Sequence, residues 1–486
     1  MTLSHTEYLG KANSNRTPLL SCSDAAELIE RGDYDGARHA LADFWRGIGD
    51  APDLQGLSNS ESAEVLLQVA VLSGCLASAQ MRGSQEQAKD LLTKSLRLFE
   101  TVSNSIKVAE VKHELGICYW RTGSFGEARV VLNEALEGLE DTELRAKVFI
   151  RLSIVELWEG RYHEAWDSLK DAQSFFENCS DVTKSTWHGQ LGLVLRRLAT
   201  AEHRPDYADR AIMEFTAAIY HCELAGHERY RARHLNNLAM LLYKLGRYSE
   251  AHQNLDSARE VFSRLKDSGN IAQVDETRCQ VLLAENRYQE GEAIIGRAVS
   301  SLENAGEQAL LADALTTQAT ILARLQKNDP SIVTFNCAIR TAEEAGAKVS
   351  AGLAVLSLIE EHQSRFSEAE ICQAYDRADN FLRNTRDAEH IARLRKCARI
   401  AVGKMGLTSG LVLSHAVLIH EARYIERALL EENGSVTHAA KRLGVTHQGL
   451  AFILKTRHKE LLSKRNPISP RRKSLFRPWK VLPQQK

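Results

Sequence analysis

The chain has 486 residues, 44% hydrophobic and 26% charged, with 8 prolines, 6% aromatic residues and a formal net charge of −1. That length exceeds one core and fits either about three domains or one elongated array. The scarcity of proline beside abundant Ala, Leu, Glu and Arg argues for an all-α protein, and the nine cysteines (22, 75, 118, 179, 222, 279, 337, 372 and 397), odd in number and without a C-x-x-C pair, argue against a disulfide framework or a metal cluster.

Residues 1–20 mix Ser, Asn, Thr and His without an apolar run and read as a flexible N-terminus. No later stretch approaches eighteen uninterrupted apolar residues, so neither a signal peptide nor a membrane span is expected. The cysteines then read as small core residues of a reduced, cytoplasmic protein.

From residue 21 onward one pattern recurs. "RGDYDGARHALADF" (Arg31–Phe44) returns as "TGSFGEARVVLNEA" (Thr122–Ala135), "EGRYHEAWDSLKDA" (Glu159–Ala172), "LGRYSEAHQNLDSA" (Leu245–Ala258) and "ENRYQEGEAIIGRA" (Glu285–Ala298). In the first four a glycine (Gly32, Gly123, Gly160, Gly246) closes one helix, an aromatic two residues on packs in the turn, and an alanine five residues on lets the second helix approach the first. This pattern resembles the tetratricopeptide repeat, which implies a solenoid of helical hairpins. Measured at the alanine, the units fall at Ala37, Ala88, Ala128, Ala165, Ala211, Ala251, Gly291, Ser331 and Ala369, a period near 40 in place of the standard 34. The last two are degenerate, with Gln326 at the glycine position of one and a poorly kept inner face in the other. Arg386–Met405 reads as a closing helix, which completes a solenoid of about nine units over residues 21–405.

Counting from the glycines, His113, Trp120, Arg151, Arg197, Asn237 and Tyr243 lie on the first helix of their hairpins, facing away from its partner, and are candidates to line a groove for a protein or peptide. The run "LNNLA" (Leu235–Ala239) resembles repeat proteins that grip a peptide backbone with an asparagine, because a carboxamide both donates and accepts; this singles out Asn237.

Gly403, Gly406, Ser409 and Gly410 mark a hinge, and a long helix is expected from about Ser414 to Asn433. Its stripe of Val417, Leu418, Ala422, Tyr424, Ile425, Ala428 and Leu429 is wider than two short helices would cover, which predicts a homodimer. Next, Ser435 caps a short helix with Val436, Ala439, Ala440 and Leu443 on one face. Gly444 supplies the turn, Val445 fills the corner, and Thr446 caps a second short helix with Leu450, Ile453 and Leu454 inside. The outward stripe is His447, Gln448, Ala451, Phe452 and Lys455.

The shared elements "IERALLEENG" (Ile425–Gly434), Ala439-Ala440, "LGV" (Leu443–Val445) and Leu450 resemble the DNA-binding domain of Fis, the factor for inversion stimulation. The resemblance implies a helix-turn-helix domain at 408–462 whose last helix enters the major groove of double-stranded DNA. Base reading falls to His447, Gln448, Ala451 and Phe452, and phosphate contact to Ser435, Lys441, Arg442, Thr446, Lys455, Arg457 and Lys459. The family usually carries Arg or Lys where this chain has His447, Ala451 and Phe452. Glutamine pairs with adenine and apolar groups meet the thymine methyl, so A·T-biased half-sites are expected.

Charge is unevenly spread. From Lys455 to Lys486 eleven Lys or Arg face Glu460 alone, which gives this end +10 and leaves −11 on the rest. An acidic body with a basic end suits contact with a polyanion, and residues 463–486, broken by four prolines, read as a basic disordered tail. No phosphate loop, dinucleotide fingerprint, H-E-x-x-H or G-x-S-x-G motif occurs, and His362 and the His420-Glu421 pair lack a second ligand at helical spacing. No catalytic residue, metal or cofactor is therefore expected. The expected function is DNA-bound transcription regulation by a solenoid that takes a protein or peptide partner; the alternative is an interaction scaffold whose terminal bundle only dimerises.

Overall fold

A computed structural model describes residues 17–80, 85–140, 143–305, 308–404 and 413–464. The chain forms two compact units, Met1–Val402 and Gly403–Lys486, and no strand occurs among the described residues.

In the first unit successive helices pair as hairpins: α1 (Pro18–Glu30) with α2 (Tyr34–Ala40), α3 (Asn59–Gln80) with α4 (Gln85–Thr101), α5 (Ser105–Arg121) with α6 (Phe125–Leu136), and α7 (Glu143–Trp158) with α8 (Tyr162–Gln173). Then come α9 (Asp181–Ala201) with α10 (Pro205–Leu224), α11 (Glu228–Lys244) with α12 (Tyr248–Arg264), α13 (Ser268–Ala284) with α14 (Tyr288–Ala305), α15 (Gln308–Arg324) with α16 (Asn328–Glu344), and α17 (Lys348–His362) with α18 (Glu368–Leu382). The closing helix α19 spans Ala388–Lys404. The first helix begins at Pro18, inside the stretch expected to be flexible, because proline fits the first helical position.

The repeated residues do the packing expected of them. Ala37, Ala88, Ala128, Ala165, Ala211, Ala251 and Ser331 are all buried. Residues four, seven and eleven places on share their face: Leu255, Ala258 and Phe262 after Ala251, and Phe215, Ala218 and Cys222 after Ala211, all buried. The turn closes the same way in the first, third, fourth, sixth, seventh and eighth hairpins. Gly246 donates to Tyr243 and Arg247 to Leu242, as Gly160 does to Leu157 and Arg161 to Glu156.

Two expectations for the final units need correction. Gln326, in the place of a glycine, has φ +61° and makes the same pair of turn bonds, so the eighth hairpin is regular at the cost of a left-handed glutamine. Ala369 is exposed, and the buried residue is Ile371, with Ala378 seven places on. The ninth hairpin therefore keeps the register of its neighbours, and its face looked poor only because the small-residue position is filled by isoleucine. Ser367 and Glu370 form a capping box that starts α18.

The first helices of consecutive hairpins also touch one another (α5 with α7, α7 with α9, α11 with α13, α13 with α15), which curves the stack with these helices inside. The curvature returns the chain to itself after about five hairpins. α3 packs on α13, Lys147 pairs with Glu30 at 2.8 Å, and the Arg229 guanidinium lies 5.0 Å from the Tyr34 ring centroid.

Among the inward-facing groups, Glu276 on α13 accepts from Gln280 at 2.6 Å and Thr317 at 2.7 Å, and burial raises its pKa to about 7 from an ordinary 4.5. Below the unfolded value both states hold the proton. As pH rises the unfolded chain ionises first, so folding loses stability between about 4.5 and about 7. Glu276→Gln should remove that loss, stabilising the chain by about 1–2 kcal/mol at pH 8 and hardly at pH 4.5. Urea unfolding at both pH values checks this; equal shifts at both would rule the account out.

In the second unit α20 (Leu413–Glu431), α21 (Val436–Arg442) and α22 (His447–Thr456) precede a 3-10 turn at Lys459–Lys464. Their core is Ile425, Ala428, Leu429, Ala439, Ala440, Leu450, Leu454 and Leu461. No helix among the described residues is long and apolar enough to cross a membrane.

Candidate functional site

The candidate residues lie on the outer surface of α22 and on the inner wall of the solenoid. In the second unit, Ala439 and Ala440 are buried where α21 crosses α22, since a larger side chain would hold the helices apart. The Ser435 hydroxyl accepts the His438 N–H at 3.4 Å and Thr446 accepts that of Gly449 at 3.0 Å, so each caps its helix and keeps its own hydrogen to donate. Gly444 has φ +69°. Val445, expected to fill the corner, is 40% exposed, whereas Val436 and Leu443 pack against the domain core.

His447, Gln448 and Lys455 are exposed, Ala451 is half-buried and Phe452 is 63% exposed. The expected stripe thus forms one outward surface, with Phe452 facing away from the core formed with α20. Around it the basic residues divide into two groups. Arg442 pairs with Glu431 at 2.6 Å and Glu432 at 3.2 Å, Arg457 with Glu421 at 3.3 Å, and Lys464 with Glu426. Lys441, Lys455 and Lys459 are exposed and have no ion pair among the described residues. Residues 413–464 hold eight Lys or Arg and five Glu, a net +3. The tail from Arg465 onward lies outside the described residues.

One pair here was not apparent in the sequence. Glu421 on α20 accepts from His458 Nε2 at 3.1 Å, and His458 is buried, which ties the turn after α22 to α20. His458 lies beyond the short helices whose spacing marked the motif, and nothing in that spacing points to it. Of the stripe expected to dimerise, Ile425, Ala428 and Leu429 are consumed by the domain core, Tyr424 is 66% exposed, and the side chain of Val417 lies outside the described residues.

On the solenoid's inner wall the candidate groove residues fall into two clusters. Near α5 and α7, Arg151 lies over Trp120 at 5.7 Å, and Trp120 meets Trp158 edge-on at 6.1 Å. His113 is buried and bonded to Glu114 at 3.0 Å, so it is spent within the wall. Burial raises the Glu114 carboxyl, but the His113 bond and the Arg151 and Arg121 charges hold it below its ordinary value. Arg151 itself is lowered, by burial, and its Nε is enclosed without a partner.

The second cluster involves α8, α9 and α11. Arg197 pairs with Asp387 at 3.0 Å, and the Tyr243 hydroxyl is raised by burial and by Glu389. Asn237 is half-exposed; its neighbour Asn236, which the sequence did not single out, has a buried carbonyl oxygen with no partner. Asp387 and Glu389 were also missed, because only the curvature of the solenoid brings them to this wall.

Comparison with known proteins places these features. Residues 231–265 match the tetratricopeptide repeat, and residues 420–451 match the bacterial regulatory protein, Fis family. No curated protein matches the chain. Among solved structures, a Rap protein complexed with competence and sporulation factor matches with TM-score 0.52 and 14% identity over 79% of this chain and 99% of that one. A signal-transduction ATPase with a tetratricopeptide repeat sensor from Pyrococcus horikoshii matches with TM-score 0.48 and 12% identity over 76% of this chain and 55% of that one. At such identities the likeness is one of fold. The chain is a tetratricopeptide-like helical solenoid with a Fis-type helix-turn-helix at its C-terminal end.

Proposed function

We propose that this protein is a transcription regulator in which the C-terminal helix-turn-helix holds duplex DNA and the solenoid takes a protein or peptide partner. The observation that carries the reading is the outward surface of α22, with Gln448 and Phe452 exposed and Lys441, Lys455 and Lys459 around them without an ion pair among the described residues. Matched families of both kinds are binding modules, so the proposed role is non-enzymatic. A role on DNA places the protein in the compartment that holds it.

Binding by counterion release gives the test. Fluorescence anisotropy of the full chain with duplex DNA should show affinity falling steeply as salt rises, while a chain ending at Val402 binds no DNA. Comparable binding by the truncated chain would sink the proposal and leave the scaffold alternative.

Within this reading Gln448 discriminates bases, since its carboxamide can meet N6 and N7 of adenine. Sites selected from a random pool should be A·T-biased, and Gln448→Ala should lose preference at one adenine position, a cost of about 1–3 kcal/mol. G·C-rich sites, or identical preferences in the variant, would refute this role. The protein is further proposed to act as a homodimer through α20, with exposed Tyr424 in the contact. Sedimentation of the full chain at micromolar concentration should give a dimer that Tyr424→Asp weakens; a wild-type monomer would remove dimerisation.

A further inference from the structure

On the solenoid's inner wall a short segment of the chain sits among basic side chains. Asp387 accepts from the Tyr162 hydroxyl at 2.9 Å and pairs with Arg197 at 3.0 Å, and Glu389 pairs with Lys244 at 2.6 Å. The other oxygen of Asp387 accepts the N–H groups of Glu389 at 2.9 Å and His390 at 3.1 Å, which starts α19 and fixes the two carboxylates two residues apart.

The wall is not satisfied by this segment. Arg196, Arg197 and Lys244 outnumber the two carboxylates, and the Arg196 guanidinium, whose pKa burial lowers to about 10, has no hydrogen bond or ion pair among the described residues. Further along, Arg151 lies under the charges of Arg121, Arg233 and Glu114; Arg121 donates to the Gly74 carbonyl at 2.9 Å, whereas Arg151 Nε is enclosed without an acceptor. Enclosed donors and excess cations cost stability unless an anion or water meets them.

These demands select a ligand class. The cations call for carboxylates or phosphates, and what already meets Arg197 and Lys244 is a pair of carboxylates, Asp387 and Glu389, carried on a peptide chain. Moreover, the segment already held there is a peptide, Asp387-Ala388-Glu389, bound through its carboxylates. We infer that the inner wall binds acidic peptide segments, and that Asp387-Ala388-Glu389 is a built-in competitor which such a peptide displaces. This rests on the reading of the solenoid as a partner-binding module, and it adds the charge of the partner and an intramolecular brake.

A competitor within the chain lowers apparent affinity by the fraction of molecules in which the wall is open. A wall occupied nine times in ten would cost about tenfold. The probe is a fluorescein-labelled octapeptide, (Asp-Ala-Glu-Ala) repeated twice, beside its amide counterpart, (Asn-Ala-Gln-Ala) repeated twice, each titrated into the full chain. The double variant Asp387→Asn/Glu389→Gln should bind the acidic peptide at least tenfold more tightly than wild type, and Arg197→Gln/Lys244→Gln should lose it. An amide peptide that binds as well as the acidic one would overturn this inference while leaving a peptide-binding solenoid intact. No gain in the first double variant would overturn the brake. Because that variant weakens the start of α19, a second readout uses wild type alone: saturating acidic peptide should speed amide hydrogen exchange at 387–390, and unchanged exchange there overturns displacement. Anisotropy with DNA on the same samples reports the DNA-binding role separately.

Discussion

Replacing Lys441, Lys455 and Lys459 together by alanine should flatten the salt dependence of DNA binding by about 3 units in the log–log slope. Each is an exposed cation without an internal ion pair among the described residues, so each is available to displace a counterion from a phosphate. Over a fourfold rise in salt, three such contacts amount to about a 40-fold difference between wild type and variant. Arg442 and Arg457 provide the contrast. Both are already paired, with Glu431, Glu432 and Glu421, and reaching a phosphate would cost them those partners. Alanine at these two positions should change the slope by less than the lysines do. A triple-lysine variant with the wild-type slope, measured by anisotropy from low to physiological salt, would mean that this surface does not meet DNA.

The second large effect is on stability. Phe215→Ala should destabilise the solenoid by about 3–5 kcal/mol, the cost of deleting a buried aromatic and leaving a cavity. Phe215 is fully buried, and its ring lies where a Cβ on Gly192 would come within 2.9 Å, so it packs directly on the α9 backbone. A helix backbone at that distance cannot collapse into the gap as a flexible side chain would. Trp187 belongs to the same core cluster, so with the other five tryptophans replaced by phenylalanine its fluorescence reports urea unfolding locally even if a repeat array unfolds in more than one step. A shift below about 1 kcal/mol would show that the site relaxes around the loss.

How much of this was legible in the residues depends on the distance over which each feature is decided. The hairpin period, the turn glycines, the caps at Ser435 and Thr446 and the inward face of α22 all follow from contacts a few residues apart, which sequence spacing records directly. The same spacing reached the limit of its resolution at the ninth hairpin. There an alanine two residues early, Ala369, looked like the packing position that Ile371 fills.

Single residues chosen for the two surfaces were read less evenly. Gln448 and Phe452 face outward as expected, because helical periodicity fixes the side of a helix on which a residue lies. Which cations are free around them depended on α20: Glu421, Glu431 and Glu432 neutralise Arg457 and Arg442, and their reach across helices cannot be read from either segment alone.

By itself, then, the sequence determined that this chain is a run of helical hairpins ending in a helix-turn-helix, because those choices are made by neighbours along the chain. Only the tertiary structure decided what faces the solenoid's inner wall. Its curvature is the sum of small angles between successive hairpins, no one of which is written in a motif. That sum brings Asp387 to Tyr162 across 225 residues and turns an open groove lined by Arg197 into one already occupied.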